Sequence, residues 1–497
     1  MRREIRLGLH ADGDAADGWA RVIRQDGLPW DPVDGPGRPI TVFDGGLPFW
    51  CADFVERGGV AVITGAPRAD AILGPSIAAT LTRFRPPARD CEAAMPCLAR
   101  VFDGQGEGEI RLHENRKARG GHLADVRPAV LTRSHGQGWF VFTGLPLARH
   151  LAAAGDSLRV FTAASNVTER VATVDKAEIA DTMTWMLLKA FAKAGLPFIR
   201  LARYPRAARS VFLFRVDVDG LFGRNCRTLA EIAEAHGIEA SFYFNASLCR
   251  AHPGELSRDW LGHHEIAHHA DTHDLFDSVD ANRANLIGGM AWVAEQLGVH
   301  TTGYVAPRGL WNPALDQAMA ELGHIYSSDF GLDFDSLPFF TEAEVLQIPV
   351  HPFSPERHAI HQEDAGLGVP SSNAVLHHYL SALDRQVALR RPAHLYGHPE
   401  VLGRLAHTVL PDLFDAVARL GIPRMTLAAF ADWWLKRDKA SLMLSIDEAT
   451  GALVVESTGE ALEAYATEPA RVIWNGNGHD LIPGRWTTLL PDREVQP

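Results

Sequence analysis

The sequence is short of cysteine, and the cysteines it has are not arranged to do chemistry. Five occur in 497 residues, Cys51, Cys91, Cys97, Cys226 and Cys249, an odd set with no Cys-x-x-Cys pair. That argues against a disulfide framework and predicts free thiols in a reducing, cytoplasmic compartment. No apolar run is long enough to span a bilayer, and Met1 to His10 has basic residues without the apolar stretch of a signal peptide. Basic residues are outnumbered, 48 against 61 acidic, for a net charge of −13. That charge argues against nucleic acid or an anionic membrane surface as partner. A dinucleotide fingerprint is missing too: Gly136-Gln137-Gly138 runs into a strand pattern where the fingerprint needs a helix. What remains is an ordinary globular composition, 46% apolar and 22% charged. The length predicts about three domains of 100–200 residues each.

The first part, residues 1–204, alternates apolar strands with helices. Val60 to Thr64 and Trp139 to Thr143 are each closed by a glycine, and Ile179, Met183, Met186 and Ala190 mark an amphipathic helix from Lys176 to Ala194, stopped by Gly195. Buried parallel strands between helices predict an α/β sandwich. The pattern resembles the flavodoxin-type, glutamine-amidotransferase-like domains. That resemblance implies a Gly-x-Cys-x-Gly nucleophile elbow, and no cysteine here has that setting. The domain is expected to be non-catalytic, serving as scaffold, oligomerisation surface or substrate-binding element. Leu196 to Ser210, with Pro197, Pro205 and four arginines, reads as a linker. At the other end, residues 439–497 carry short strands at Leu442–Ile446, Leu453–Glu456 and Arg471–Trp474 with turn signals between them. They predict a small β-sandwich-like module that stabilises the chain or serves as an accessory carbohydrate binder.

The central part, residues 205–438, holds the chemistry. The run Val211 to Phe214 leads into Arg215-Val216-Asp217-Val218-Asp219-Gly220. Side chains at i and i+2 of a strand share a face, so Asp217 and Asp219 point the same way. Two carboxylates side by side at a buried strand end repel unless a positive charge, most simply a divalent metal, neutralises them. Downstream, strand and helix patterns alternate. Thr228 with Glu231 reads as a capping box, and Ala240–Phe244 as the next strand. Asn312-Pro313 opens a helix that Gly323 closes, and strands fall at Tyr304–Pro307, Ile325–Phe330, Val345–Val350 and His394–Gly397. Such repetition predicts an α/β fold closing as a parallel β/α barrel with function at the C-terminal strand ends.

Histidines follow at one such end, in Glu265-Ile266-Ala267-His268-His269-Ala270-Asp271-Thr272-His273. His269 and His273 are four apart, and so are His264 and His268, giving two candidate pairs that with an aspartate would make a carboxylate-plus-two-imidazole metal site. The long loop from His351 to Ser372 carries His351, His358 and His361, and loops of that length in compact domains tend to be functional or mobile. Trp311 and Phe339-Phe340 fall past strand ends, where an aromatic platform for a sugar would sit.

In order and type, these residues resemble the NodB-homology polysaccharide deacetylases, carbohydrate esterase family 4, over nearly half the chain. The resemblance implies Asp217 as catalytic base and Asp219 as metal ligand. Glu265-Ile266-Ala267-His268-His269 matches the second motif except for alanine in place of glycine, and that register selects His269 and His273 as the other ligands. In the third motif, Gly303-Tyr304-Val305-Ala306-Pro307-Arg308-Gly309, valine stands where the family has the arginine that braces the base. Arg308 is the expected substitute, and Arg215 its rival. Tyr326-Ser327-Ser328-Asp329-Phe330 and Leu395-Tyr396-Gly397-His398-Pro399 supply the fourth and fifth motifs, implying His398 as general acid and Asp329 as the carboxylate that orients it. The implied cofactor is a divalent metal, zinc first, with cobalt, nickel, iron and manganese compatible with the same ligands. The implied activity is removal of an N-acetyl group from an amino sugar of a glycan or glycan precursor. Deformylation or deacetylation of a lipid-linked sugar, and a catalytically silent glycan-binding protein, are the alternatives.

Overall fold

The computed structural model describes residues 2–65, 70–112, 127–153, 158–162, 168–172, 174–220, 223–251, 256–356 and 371–490. The chain divides into two compact units, one of Met1–Ala153, Thr173–Ala207 and Arg437–Pro497, the other of Ala154–Ala172 and Ala208–Lys436. No helix among the described residues is long and apolar enough to cross a membrane.

In the first unit, strands Trp30–Pro32, Leu7–His10, Ile40–Asp44, Val60–Thr64 and Gly138–Phe142 lie side by side in that order and run parallel. Their alternation with helices Asp14–Asp26 and Lys176–Lys193 is the α/β arrangement expected of the N-terminal part. The C-terminal strands, expected as a small module of their own, share sheets with the N-terminal part. Strand Arg2–Ile5 pairs with Leu442–Asp447, and strand Phe198–Leu201 with Leu462–Tyr465, so the two ends of the chain build their sheets jointly. A buried ionic network ties the same parts together: Asp26 accepts from Arg200 at 3.0 Å and Arg203 at 2.7 Å, and Arg200 also donates to Glu463 at 2.8 Å. Local periodicity had no access to pairings roughly 260 to 445 residues apart.

The second unit is one curled sheet wrapped in helices. Its strands run in the order Phe339–Phe340, Leu346–Gln347, Tyr326–Ser327, Gly303–Tyr304, Glu265–His268, Ser241–Phe244, Phe212–Val218 and Ala393–Gly397, with Arg424–Met425 beside Phe212–Val218. All neighbours are parallel except the first pair. The curl brings its ends together where the His351 N–H donates to the His394 carbonyl at 3.0 Å. Strand Phe212–Val218 shows why the sheet takes this form. Phe212, Phe214, Val216 and Val218 join the helix-facing core with Leu229, Leu410 and Phe414. Burial of side chains that large contributes about 1.5–3 kcal/mol each. Alternation then turns Arg215 and Asp217 to the opposite, inner face.

Asn312 caps helix Pro313–Glu321, accepting from the Leu315 N–H at 2.7 Å. The capping box at Thr228 is corrected: helix Gly223–Ala235 starts a turn earlier, and the Thr228 hydroxyl bonds back to the Arg224 carbonyl at 3.0 Å. His358 and His361 lie outside the described residues.

Candidate active site

Asp219 stands just past the end of strand Phe212–Val218, with three imidazoles around it. His269 Nε2 is 3.1 Å from Oδ1, while His273 Nε2 and His398 Nε2 are 3.3 and 3.4 Å from Oδ2. His269 follows strand Glu265–His268 directly, and the chain turns at Ala270, whose φ of 63° costs a non-glycine residue roughly 1–3 kcal/mol. Side-chain amides hold the turn in place. Asn245 Nδ2 donates to the His269 carbonyl at 2.8 Å, and Asn285 Oδ1 accepts from the Thr272 N–H at 2.7 Å. His273 is thereby brought back over Asp219.

The donor set fits a divalent cation. Ligand atoms of Asp219, His269 and His273 lie within 4.8 Å of one another. His269 donates through Nδ1 to the Val305 carbonyl at 2.6 Å, which leaves the Nε2 lone pair facing Asp219. The His269 and His273 ring centres are 5.2 Å apart, and two imidazoles bonded at ~2.0–2.1 Å to one tetrahedral ion place their centres about 5 Å apart. Among the described residues, Asp219 Oδ1 and His273 Nε2 are buried without a hydrogen-bond partner. Burial alone would raise the Asp219 carboxyl, but His398, His269 and His273 hold it well below the ordinary range. Burial likewise opposes a charged His269, and Asp219 overcomes it. These atoms compete for positive charge that a dication would supply.

The rival histidine pair is placed elsewhere. His268 points to the other face of its strand, with Nε2 2.8 Å from His324 Nε2. His264 is a core residue, accepting at Nδ1 from the Ala240 N–H and donating from Nε2 to the Ala230 carbonyl, both at 3.0 Å.

Asp217 is 3% exposed, and both of its oxygens are taken by one guanidinium. Arg215 Nε donates to Oδ1 at 2.7 Å and Nη2 to Oδ2 at 2.6 Å, while Nη1 donates to the Ser328 carbonyl at 2.6 Å. The expectation for Arg308 is corrected. That residue is exposed in a turn at φ 60° and makes no hydrogen bond or ion pair among the described residues. Arg215 was legible as an i, i+2 neighbour of Asp217 on one strand face, the same rule that pairs Asp217 with Asp219.

Asp329 also departs from expectation. Its Oδ1 accepts from the Ala306 N–H at 2.8 Å, and its Oδ2 from Ser327 at 2.5 Å and Gln347 at 3.1 Å. Burial raises its carboxyl above the usual range. Its bonds brace the strand ends beneath the site. The carboxylate on His398 Nδ1 is Glu356, at 3.1 Å, whose other oxygen accepts from the Leu402 N–H at 2.8 Å. Burial works against a charged His398, and Asp219 and Glu356 together hold its imidazolium well above the ordinary range. Sequence reasoning missed Glu356. It sits in the 351–372 stretch singled out for its histidines, and no motif spacing marks it.

No protein-family model matches the chain, and no curated protein matches it. Among solved structures it is similar to Agd3, a carbohydrate deacetylase, at 10% identity over 98% of this chain and 99% of that one, with a TM-score of 0.41. It is also similar to a family 4 carbohydrate esterase from Streptomyces lividans, solved with acetate, at 13% identity over 44% and 92%, TM-score 0.30. A family 4 pseudoenzyme from Bacillus anthracis shares 13% identity over 45% and 66%, TM-score 0.32. The Streptomyces lividans and Bacillus anthracis neighbours are of carbohydrate esterase family 4, the family that the motifs resemble.

Proposed function

We propose that the protein is a metal-dependent hydrolase that removes an N-acetyl group from an amino sugar in a glycan or glycan precursor. One observation carries the reading: an Asp-His-His group converges on one point beside a second, separately braced aspartate and a histidine paired with the Glu356 carboxylate. A divalent cation held by Asp219, His269 and His273 would supply charge that polarises the amide carbonyl and lowers the pKa of a bound water towards about 7.

The chain's own residues divide the remaining work. Asp217 is not among the three converging ligands, so its carboxylate stays available to take the proton of the attacking water. Arg215 fixes both its oxygens and so sets its orientation. His398 hands its Nε2 proton to the leaving amine, and Glu356 on Nδ1 favours the form that has a proton to give. The division of labour is a base on one strand end and an acid on the next. Strands Phe212–Val218 and Ala393–Gly397 are parallel neighbours, so the two groups flank one reaction position.

Metal analysis of the purified protein, with acetate release from a panel of N-acetylated oligosaccharides and lipid-linked sugars, tests the reading. About one equivalent of transition metal and metal-dependent acetate release are expected. Native protein that binds no added metal and releases no acetate overturns it.

A further inference from the structure

Among the described residues, the buried side-chain atoms without a hydrogen-bond partner include Asp219 Oδ1, His273 Nε2 and Glu400 Oε2. A cation accounts for the first two. It does not account for Glu400, which is not part of the converging group. Glu400 nonetheless shares their surroundings. Its carboxyl senses the charges of His398, Asp219 and Glu356, and the buried Cys249 thiol senses Asp219 and Glu400 together. The turn presenting it is fixed from both sides. Asn225 Nδ2 donates to the Pro399 carbonyl at 2.8 Å, and Glu356 accepts from the Val401 and Leu402 N–H groups at 3.3 and 2.8 Å. A buried acceptor left without a donor costs about 1–3 kcal/mol, more when charged. Burial accordingly pushes the Glu400 carboxyl up to about 7, so near neutrality both its accepting and its donating forms are accessible.

We propose that Glu400 is a specificity-determining residue, its bare oxygen receiving a hydroxyl or N–H of the substrate beside the amide nitrogen that His398 protonates. The inference rests on the amide-hydrolase reading above. Glu400 and His398 are two residues apart on one rigid turn, so the group recognised lies close to the leaving nitrogen. In a glycan of a cyclic 2-acetamido sugar, one carbon flanking the acetamido carbon carries a hydroxyl and the other carries the glycosidic oxygen. A simple anilide carries none. A site built to bind a hydroxyl discriminates strongly against analogues lacking it, because its own polar group is then left unpaired.

The test compares wild type, Glu400→Gln and Glu400→Ala on N-acetylglucosamine oligosaccharides and on 4-nitroacetanilide. Metal content and calorimetric binding of the oligosaccharide are measured alongside. Glu400→Ala is expected to lose at least tenfold more kcat/KM on the sugar than on the anilide, chiefly through KM. Its oligosaccharide binding should weaken by tenfold or more while its metal content stays at the wild-type level. Glu400→Gln, which keeps an acceptor oxygen, should lose less. Equal losses on both substrates, or loss of metal, overturn the proposal. If wild type releases acetate from neither substrate, the hydrolase reading fails, and binding alone decides Glu400. Tighter binding by wild type than by Glu400→Ala sustains it, and equal or absent binding overturns it.

Discussion

Arg215→Lys against Arg308→Lys separates the structure from the motif resemblance. Arg215 spends two donors on the two oxygens of Asp217, at 2.7 and 2.6 Å, and a third on the Ser328 carbonyl at 2.6 Å, all within a 1% exposed side chain. A lysine keeps the charge but brings one compact ammonium in place of a planar fork, so at least one bond to Asp217 is lost. A hydrogen bond to a charged group contributes about 1.5–3 kcal/mol. If that orientation is needed in the transition state, kcat falls roughly ten- to a hundredfold. The Ser328 carbonyl also loses its donor, which costs ~1–3 kcal/mol of stability. Arg308→Lys changes an exposed residue and should move neither quantity. Acetate release from the preferred substrate is the assay, with metal content and melting temperature as controls that the lysine variant is folded. Normal turnover in Arg215→Lys together with a crippled Arg308→Lys would refute the reasoning.

Asp219→Ala, His269→Ala and His273→Ala are each expected to strip the metal, and His264→Ala and His268→Ala to retain it. An empty His268→Ala beside a full His269→Ala overturns the ligand assignment. Glu356→Gln should lower kcat and move the alkaline limb of the pH profile to lower pH, because an uncharged partner no longer favours the His398 imidazolium; an unmoved limb removes Glu356 from that role. Asp44 of the first unit gives a prediction for stability. Burial raises its carboxyl from 3.8 to about 6, against the hydrogen bond from Thr64 at 2.5 Å. The folded state then holds this proton more tightly than the unfolded chain, so its contribution declines as pH rises between those values, by about 3 kcal/mol. Asp44→Asn should therefore gain stability over wild type above pH 6 and not below pH 4, and a pH-independent difference in unfolding free energy contradicts it.

Two kinds of information were legible in the sequence. Periodicity announced the strands and helices of the second unit, because its connections are local and its strand faces alternate cleanly, as Phe212, Phe214 and Val216 do against Arg215 and Asp217. Spacing offered two histidine pairs, and the motif resemblance selected His269 and His273, whose rings lie beside Asp219 past the ends of two strands. The joint sheets of the first unit were not legible, since Arg2–Ile5 meets its partner at Leu442–Asp447 and nothing near either strand encodes the other. The start of helix Gly223–Ala235 was hidden by Thr228, whose hydroxyl satisfies the backbone in mid-helix as readily as at a cap.

Arg308 and Asp329 failed as assignments for one physical reason. The proposed chemistry needs a guanidinium at a point in space beside Asp217 and a carboxylate at another beside His398, and it is indifferent to the strand that delivers either. The motif resemblance places the guanidinium on the third motif, where Val305 now packs fully buried. Here it comes from two residues before the base on the same strand face. The carboxylate on His398 likewise lies outside the expected motif: it is Glu356, which also accepts from the Leu402 N–H where helix Leu402–Leu420 begins, just past His398. Asp329 instead accepts from the Ala306 N–H and the Ser327 and Gln347 side chains. Ser328, beside it in the chain, accepts from Arg215. The guanidinium that holds Asp217 through two nitrogens gives its third to the Ser328 carbonyl, so Arg215 ties the end of strand Phe212–Val218 to the fourth motif. A chain with valine at position 305 and no arginine at position 215 should lack both the fork on Asp217 and the donor to that carbonyl.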